Sequence, residues 1–173
     1  KITHETGGEE HTEQRRFADH TEGVATVVKM FREHGPSIDD VVAVGHRTVH
    51  GGSKFVESTL IDSTVIAKLV ELSDLAPLHN PPGIAGIAAA MDVLPDVPHV
   101  AVFDTAFFST LPPHAYTYAI NHDTAQEFGV RKYGFHGTSH SYVSKKAAEF
   151  LGQPIEELKT IVCHLGNGAS ISA

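Results

Sequence analysis

The sequence predicts an α/β fold. Three apolar runs of buried-strand length are separated by stretches whose apolar residues recur at helical spacing. Val41-Val42-Ala43-Val44 runs into Gly45-His46-Arg47, Val100-Ala101-Val102-Phe103 into Asp104, and Ile161-Val162-Cys163 into His164-Leu165-Gly166-Asn167-Gly168. Ligands of open α/β sheets bind in the crevice beyond the carboxyl ends of the strands. An arginine, an aspartate and a Gly-rich turn brought to one such edge make a site for a charged phosphate.

The elements follow in order. Lys1–Arg16, rich in Glu and Thr, reads as an opening strand or hairpin. Asp19–His34 reads as a helix with Val24, Val27, Val28 and Phe31 on one face, ended by Gly35-Pro36. Val41–Val44 reads as a buried strand, and His50-Gly51-Gly52-Ser53 as a loop. Asp62 or Ser63 caps a second helix that carries Val65, Ile66, Leu69 and Val70. Leu75–Pro82 is a loop, and Pro81-Pro82 suits the first turn of a third helix running to about Met91.

Val100–Phe103 is the next strand, and Leu111-Pro112-Pro113 breaks the chain before a short strand over Tyr116–Ile120. Thr138 or Ser139 caps a helix with Val143, Ala147, Phe150 and Leu151 on its buried face, stopped by Gly152 and Pro154. Ile161–Cys163 is a last buried strand, paired with Ala169–Ser172 across Gly166-Asn167-Gly168. The sequence stops at Ala173 within that pair, so it reads as a piece of a longer protein.

Composition narrows the function. With 173 residues, 41% apolar and 20% charged, the chain can form one domain or a compact pair of lobes. A formal charge of −8 argues against a nucleic-acid surface, which needs clustered Lys and Arg. No apolar stretch approaches the ~20 residues of a membrane span. Glu5, Glu9, Glu10 and Glu13 are unlike a secretory signal. Cys163 has no partner for a disulfide and reads as a small buried hydrophobe, which fits a reducing cytoplasm. Most of the 13 histidines are expected at the surface, at caps or in structural hydrogen bonds.

Arg47, at a strand end beside Gly51-Gly52, can grip a carboxylate or phosphate through two parallel hydrogen bonds, or sit on the surface of a tight turn. His79 precedes a helix start, where it can face an anion or cap the helix. Asp104 follows an apolar strand with no charged neighbour. It must be paired, hold a cation, meet substrate or cap a helix. His136 and His140 share the four-residue spacing of zinc pairs, but Gly137 puts His136 ahead of the helix and the zincin Glu is absent. At a helix mouth His136 can give a proton or hydrogen bond to a phosphoryl oxygen. His164-Leu165-Gly166-Asn167-Gly168 exposes backbone N–H groups suited to phosphate, and is equally a hairpin turn. No Walker A sequence is present.

Five blocks together resemble the acetate kinase family: Gly45–Gly52 (GHRTVHGG), Leu75–Pro82 (LAPLHNPP), Val102–Phe107 (VFDTAF), Tyr133–His140 (YGFHGTSH) and His164–Ser170 (HLGNGAS). The resemblance implies a ribonuclease-H-like mixed sheet flanked by helices, as in the acetate and sugar kinase, Hsp70 and actin superfamily. It implies reversible phosphoryl transfer from ATP to acetate, giving acetyl phosphate and ADP, with Mg2+ or Mn2+, in a cytoplasmic homodimer.

By the same resemblance Arg47 binds the acyl substrate, Asp104 is the active-site acid/base or orients substrate and metal shell, and His136 stabilises the transition state. Val49, Leu78 and Phe135 line the methyl pocket with His79 beside it. His164, Leu165, Gly166, Asn167 and Gly168 bind ATP phosphates. No metal ligand is assigned within these residues. Residues 1–173 correspond to the family's N-terminal lobe without its first strand, and 160–173 begin the ATP-phosphate hairpin of the second lobe. Phe108 departs from the family, which more often has His there. Propionate kinase is the alternative activity, and a non-catalytic nucleotide-binding module the alternative class.

Overall fold

Gly7 and Gly8, both at positive φ, turn β1 (Ile2–Thr6) back on β2 (Glu9–Glu13) as an antiparallel hairpin with Ile2 opposite Glu13. The computed structural model describes residues 1–173. Asp19 starts α1 (His20–His34) by accepting the Glu22 N–H, and Gly35 ends it in a positive-φ conformation. Thr26, Val28 and Met30 are its buried residues, and α1 packs on α3 (Asn80–Val93). Val27, expected on the buried face, is exposed.

The central sheet is mixed, in the order β3 (Val44–Thr48), β5 (His99–Phe103), β4 (Thr59–Leu60). β3 runs parallel to β5 with Arg47 opposite Val102, and β4 is antiparallel on the other side. Asp62 caps α2 (Ser63–Glu71) by accepting the Val65 N–H at 2.8 Å. Pro81 and Pro82 occupy the first turn of α3. These helices and the turn after α2 bury Val65, Leu69, Leu72 and Ile87 against Ala101 and Phe103 of β5, and Phe103 stacks on Phe55 at 4.8 Å between ring centres.

The first strand lies further along the chain than its apolar run suggests. Val41–Ala43 stay outside the sheet, and Val42 is 84% exposed. Val44 donates its N–H to the Pro98 carbonyl at 2.9 Å. The next rung would need an N–H from Pro98, which proline lacks, so the ladder stops there. Tyr116–Ile120 forms no strand either. Pro112-Pro113 opens the short helix α4 (Pro113–Tyr116), α5 follows (His122–Glu127), and no neighbouring strand offers a ladder.

α6 (Gly137–Leu151) begins two or three residues earlier than expected, with His136 at the cap position instead of Thr138 or Ser139. Its buried positions are Gly137, His140, Ser144 and Ala148, whereas Val143, Phe150 and Leu151 are exposed, Phe150 by 91%. The packed side runs against the Asp104 backbone, the turn Ala106–Phe108 and β6 (Val162–Leu165). Only small side chains and one hydrogen-bonded histidine fit that gap. β6 pairs antiparallel with β7 (Ala169–Ser172), Leu165 opposite Ala169. Because α6 covers one face only, the strand alternates: Val162 is buried and Cys163 is exposed, against the expectation of a buried thiol. No helix is long and apolar enough to cross a membrane.

Three histidines are hydrogen-bonded into this frame. His99 Nε2 lies 3.0 Å from the Leu94 carbonyl, which only accepts, so that nitrogen carries the hydrogen. His99 Nδ1 then accepts from His46 Nε2 at 2.9 Å. His50 Nδ1 accepts the Gly52 N–H at 3.0 Å. Burial pushes the pKa of both His46 and His50 below the usual histidine value, with the nearby His99 adding to the shift at His46. The unfolded chain therefore takes up these protons first. Their contribution to stability is full above pH 6.5, the ordinary histidine value, and is lost as pH falls through it. The thermal midpoint is expected to drop between pH 7 and pH 5, less so in His46→Gln. A flat profile would contradict the neutral assignments. Leu69→Ala, at a fully buried position, is expected to cost about 2–5 kcal/mol in urea unfolding.

Candidate active site

The register of β3 on β5 delivers Arg47 and Asp104 to the same edge of the sheet. Asp104 continues the β5 line, donating its N–H to the Thr48 carbonyl at 3.0 Å. It is 1% exposed, and its carboxylate is paired. Arg47 donates from Nε to both oxygens at 3.2 Å and from Nη2 to Oδ2 at 2.6 Å, and Thr138 Oγ1 donates to Oδ1 at 3.1 Å. The Asp104 carbonyl accepts the Gly137 N–H at 3.1 Å. Asp104 thus caps no helix with its side chain. It anchors the guanidinium.

Arg47 is 57% exposed on its side chain, and its hydrogen bond to Asp104 raises its pKa further. Of the five guanidinium N–H groups, the Nε hydrogen and one on Nη2 are used by Asp104. The pair on Nη1 and the second on Nη2 remain for an anion. A buried carboxylate thus aims an arginine into the cleft.

His136 enters α6 at φ +57, a left-handed conformation uncommon for a residue with a side chain. Gly134 and Gly137 let the chain through on either side. A Cβ on Gly134 would lie 2.3 Å from the Phe108 ring, and one on Gly137 2.0 Å from the Asp104 carbonyl oxygen. The His136 ring stacks on His164 at 4.0 Å, and its Nδ1 lies 2.9 Å from Ser170 Oγ. Burial first, then the charges His164 and Arg47 would add, lower its pKa, while Asp104 acts in the opposite sense. The ring is neutral near pH 7 and can donate only from the nitrogen that carries its hydrogen.

A cleft of about 650 Å³ collects these groups. Val49, Leu75, Pro77, Leu78 and Phe135 form its apolar wall, and Arg47, His79, Asp104, His136 and Ser170 supply the polar atoms. Gly168 and Ala169 close it on the hairpin side. Arg47, Val49, Leu78, His79, Asp104, Phe135, His136 and Gly168 are therefore brought together, as the sequence motifs suggested. His79 makes no capping bond.

His164, Leu165, Gly166 and Asn167 lie off the cleft. His164 backs His136 and bonds Ser139 Oγ through Nδ1 at 2.9 Å, while Leu165 is exposed and the Gly166 N–H donates to the Gly168 carbonyl across the turn. Asn80 adjoins the site and Ser170 lines it, without either being among the residues the sequence motifs assign to it. Asn80 bonds both backbone groups of His50, at 3.3 and 3.1 Å, tying the Val49 loop to the His79 turn. The alternation of Ser170 and Ser172 along β7 was the available signal for Ser170. His136 and His140 meet at its hydroxyl rather than forming a metal pair.

Comparison with known proteins agrees with the motifs. The model of the acetokinase family matches residues 1–173. An acetate kinase of Clavibacter michiganensis subsp. michiganensis is 55% identical over 172 residues, 98% of this chain and 43% of its own length. The chain thus spans less than half of that relative. The crystal structure of Porphyromonas gingivalis acetate kinase superposes with a TM-score of 0.87 at 46% identity, covering 95% of this chain and 42% of its own. A propionate kinase from Francisella tularensis gives 0.82 at 43% identity, covering 88% and 39%. The mixed α/β fold is shared with these structures.

Gly137→Ala tests the closest approach in the site. Its methyl group meets main chain that cannot yield, so the cost is expected to reach at least the ~1–3 kcal/mol of an overpacked core. Urea unfolding of the variant measures it, and an unchanged midpoint would show that α6 does not sit against Asp104 as described.

Proposed function

Because the chain belongs to the acetokinase family, we propose that the whole protein is an acetate kinase, transferring the terminal phosphoryl group of ATP to acetate reversibly. In this reading residues 1–173 are its N-terminal, acyl-substrate lobe, and 160–173 begin the hairpin that meets the ATP phosphates. The observation that carries the reading is the Arg47–Asp104 pair, fixed beside an apolar wall with His136 on the same cleft.

Arg47 binds the acetate carboxylate with the N–H groups that Asp104 leaves free, and Val49, Leu78 and Phe135 enclose the methyl group, with His79 at the rim. One carboxylate oxygen attacks the γ-phosphorus. The new O–P bond forms as the bond from phosphorus to the ADP oxygen breaks, and that oxygen keeps the electron pair. Acetate is already ionised at neutral pH, so no base is needed, and Asp104 acts by orienting Arg47. Such a transfer depends on positioning and charge neutralisation more than on covalent help. His136 donates a hydrogen bond to the phosphoryl oxygen on which charge develops. Gly168 brings hairpin main chain to the same place, and His164 supports the His136 ring from behind.

The family also implies Mg2+ or Mn2+. Asp104 is the one carboxylate on the cleft, and its oxygens already accept from Arg47 and Thr138. No group of three His, Cys, Asp or Glu side chains in the chain is arranged to hold a metal ion. These residues do not fit a magnesium site, which takes free carboxylate or phosphate oxygens, and no step above passes through the ion.

The likeness to a propionate kinase supports a second acid. One methylene in an apolar pocket separates substrates by only about 1–3 kcal/mol. The full-length protein, as the homodimer the family implies, is expected to form acyl hydroxamate from Mg-ATP with acetate ahead of propionate and butyrate. Arg47→Ala should cut the rate by about 10²–10³. Propionate leading in kcat/KM would transfer the assignment to that acid. Absence of product with every acid, from folded protein that binds ATP, would replace the kinase with a binding module.

A further inference from the structure

His140 is wholly buried on the inner side of α6 and makes no contact with the cleft. Both of its ring nitrogens are engaged by serine hydroxyls of β7: Nε2 lies 2.8 Å from Ser170 Oγ, and Nδ1 lies 2.8 Å from Ser172 Oγ. Ser170 Oγ is also 2.9 Å from His136 Nδ1. One hydroxyl therefore joins a buried imidazole to the imidazole on the cleft. Phe108 packs edge-on against His140 at 5.7 Å, so an apolar ring adjoins the buried imidazole.

Two ordered arrangements use the Ser170 hydroxyl hydrogen within this chain. A neutral imidazole has one donor and one acceptor, and a hydroxyl has one hydrogen to give. With the hydrogen on His140 Nε2, that nitrogen donates to Ser170 Oγ, Ser170 donates to His136 Nδ1, and His136 must carry its own hydrogen on Nε2. His140 Nδ1 then accepts from Ser172. With the hydrogen on His140 Nδ1, every bond reverses and His136 Nε2 is left as a bare lone pair. The first arrangement presents a hydrogen-bond donor at Nε2, and the second repels an oxyanion there.

We propose that His140 and Ser170 are positioning residues that hold His136 in the tautomer with its hydrogen on Nε2, ready to donate to a phosphoryl oxygen. The lowered pKa values of His136 and His140 agree, since burial dominates both and keeps both rings neutral. His164 stacks on His136, while Asp104 and Arg47 are the charged groups facing it. The relay explains why one packed position of α6, where the sequence predicts an apolar stripe, is taken by His140. The hydrogen-bonded chain stands on geometry alone, while the choice of the Nε2 tautomer and its contribution to turnover rest on the kinase reading.

The test uses full-length protein labelled in histidine with nitrogen-15. Imidazole NMR separates protonated from bare ring nitrogens, and His136→Gln identifies the His136 signals. Wild type is expected to show hydrogen on Nε2. Ser170→Ala is expected to give a mixture of tautomers, with kcat lowered about tenfold, part of what one transition-state donor contributes, and KM for both substrates within about twofold. Ser170→Thr, which keeps the hydroxyl, is expected to restore both the tautomer and kcat. Ser170 is only partly buried, so the variants are compared at matched thermal midpoints. A His136 spectrum unchanged in Ser170→Ala, or hydrogen on Nδ1 in wild type, overturns the relay. A fixed Nε2 tautomer lost in Ser170→Ala, in a protein that phosphorylates no acid, supports the relay and removes the kinase reading.

Discussion

Asp104 uses every polar group it has to join three elements. Its N–H extends the β3–β5 ladder, its carbonyl receives the Gly137 N–H, and its carboxylate takes Arg47 from β3 and Thr138 from α6. Taking a carboxylate out of water is costly unless hydrogen bonds replace hydration, and here Arg47 and Thr138 supply them. The cleft follows from that bond set: Arg47 cannot swing away while Asp104 is buried, and α6 cannot move off without uncovering it. The glycine at 137 is part of the same constraint, because only a residue without Cβ brings α6 this close.

That close approach also explains the inverted face of α6. A count of apolar residues puts Val143, Phe150 and Leu151 inward, yet the inward positions are Gly137, His140, Ser144 and Ala148. Helical periodicity identifies which residues share a face, and burial depends on what the helix lies against. Here it lies against main chain and two serines of a hairpin. The hairpin shows the same thing from the other side, with Val162 and the serine hydroxyls turned to α6 while Cys163, Leu165 and Ile171 are exposed.

The histidines sort by these neighbours rather than by their motifs. His46 with His99, and His136 with His140 and His164, form groups in which rings bond or stack on one another. A cation is disfavoured beside another potential cation and away from water. Neutral rings then make defined tautomers available, and the donor or acceptor character of each nitrogen is set by its partner. In both groups a residue that looks titratable in the sequence serves as a hydrogen-bond relay.

Taken alone, the sequence determined the α/β class, an opening strand or hairpin over Lys1–Arg16, a cap at Asp62 or Ser63, and the delivery of Arg47 and Asp104 to one edge of the sheet. These depend on local chemistry: side chains that replace missing helix bonds, and polar residues placed directly after strands. It also determined the family, because five spaced motifs carry more information than any one. Tertiary structure alone decided where β3 starts, since Pro98 on another strand ends its ladder, and that Tyr116–Ile120 has no sheet to join. It decided as well which side of α6 is covered, that Asp104 holds Arg47, and that Ser170 connects two imidazoles. Each of these depends on residues tens of positions apart, and such distances exist only once the chain has folded.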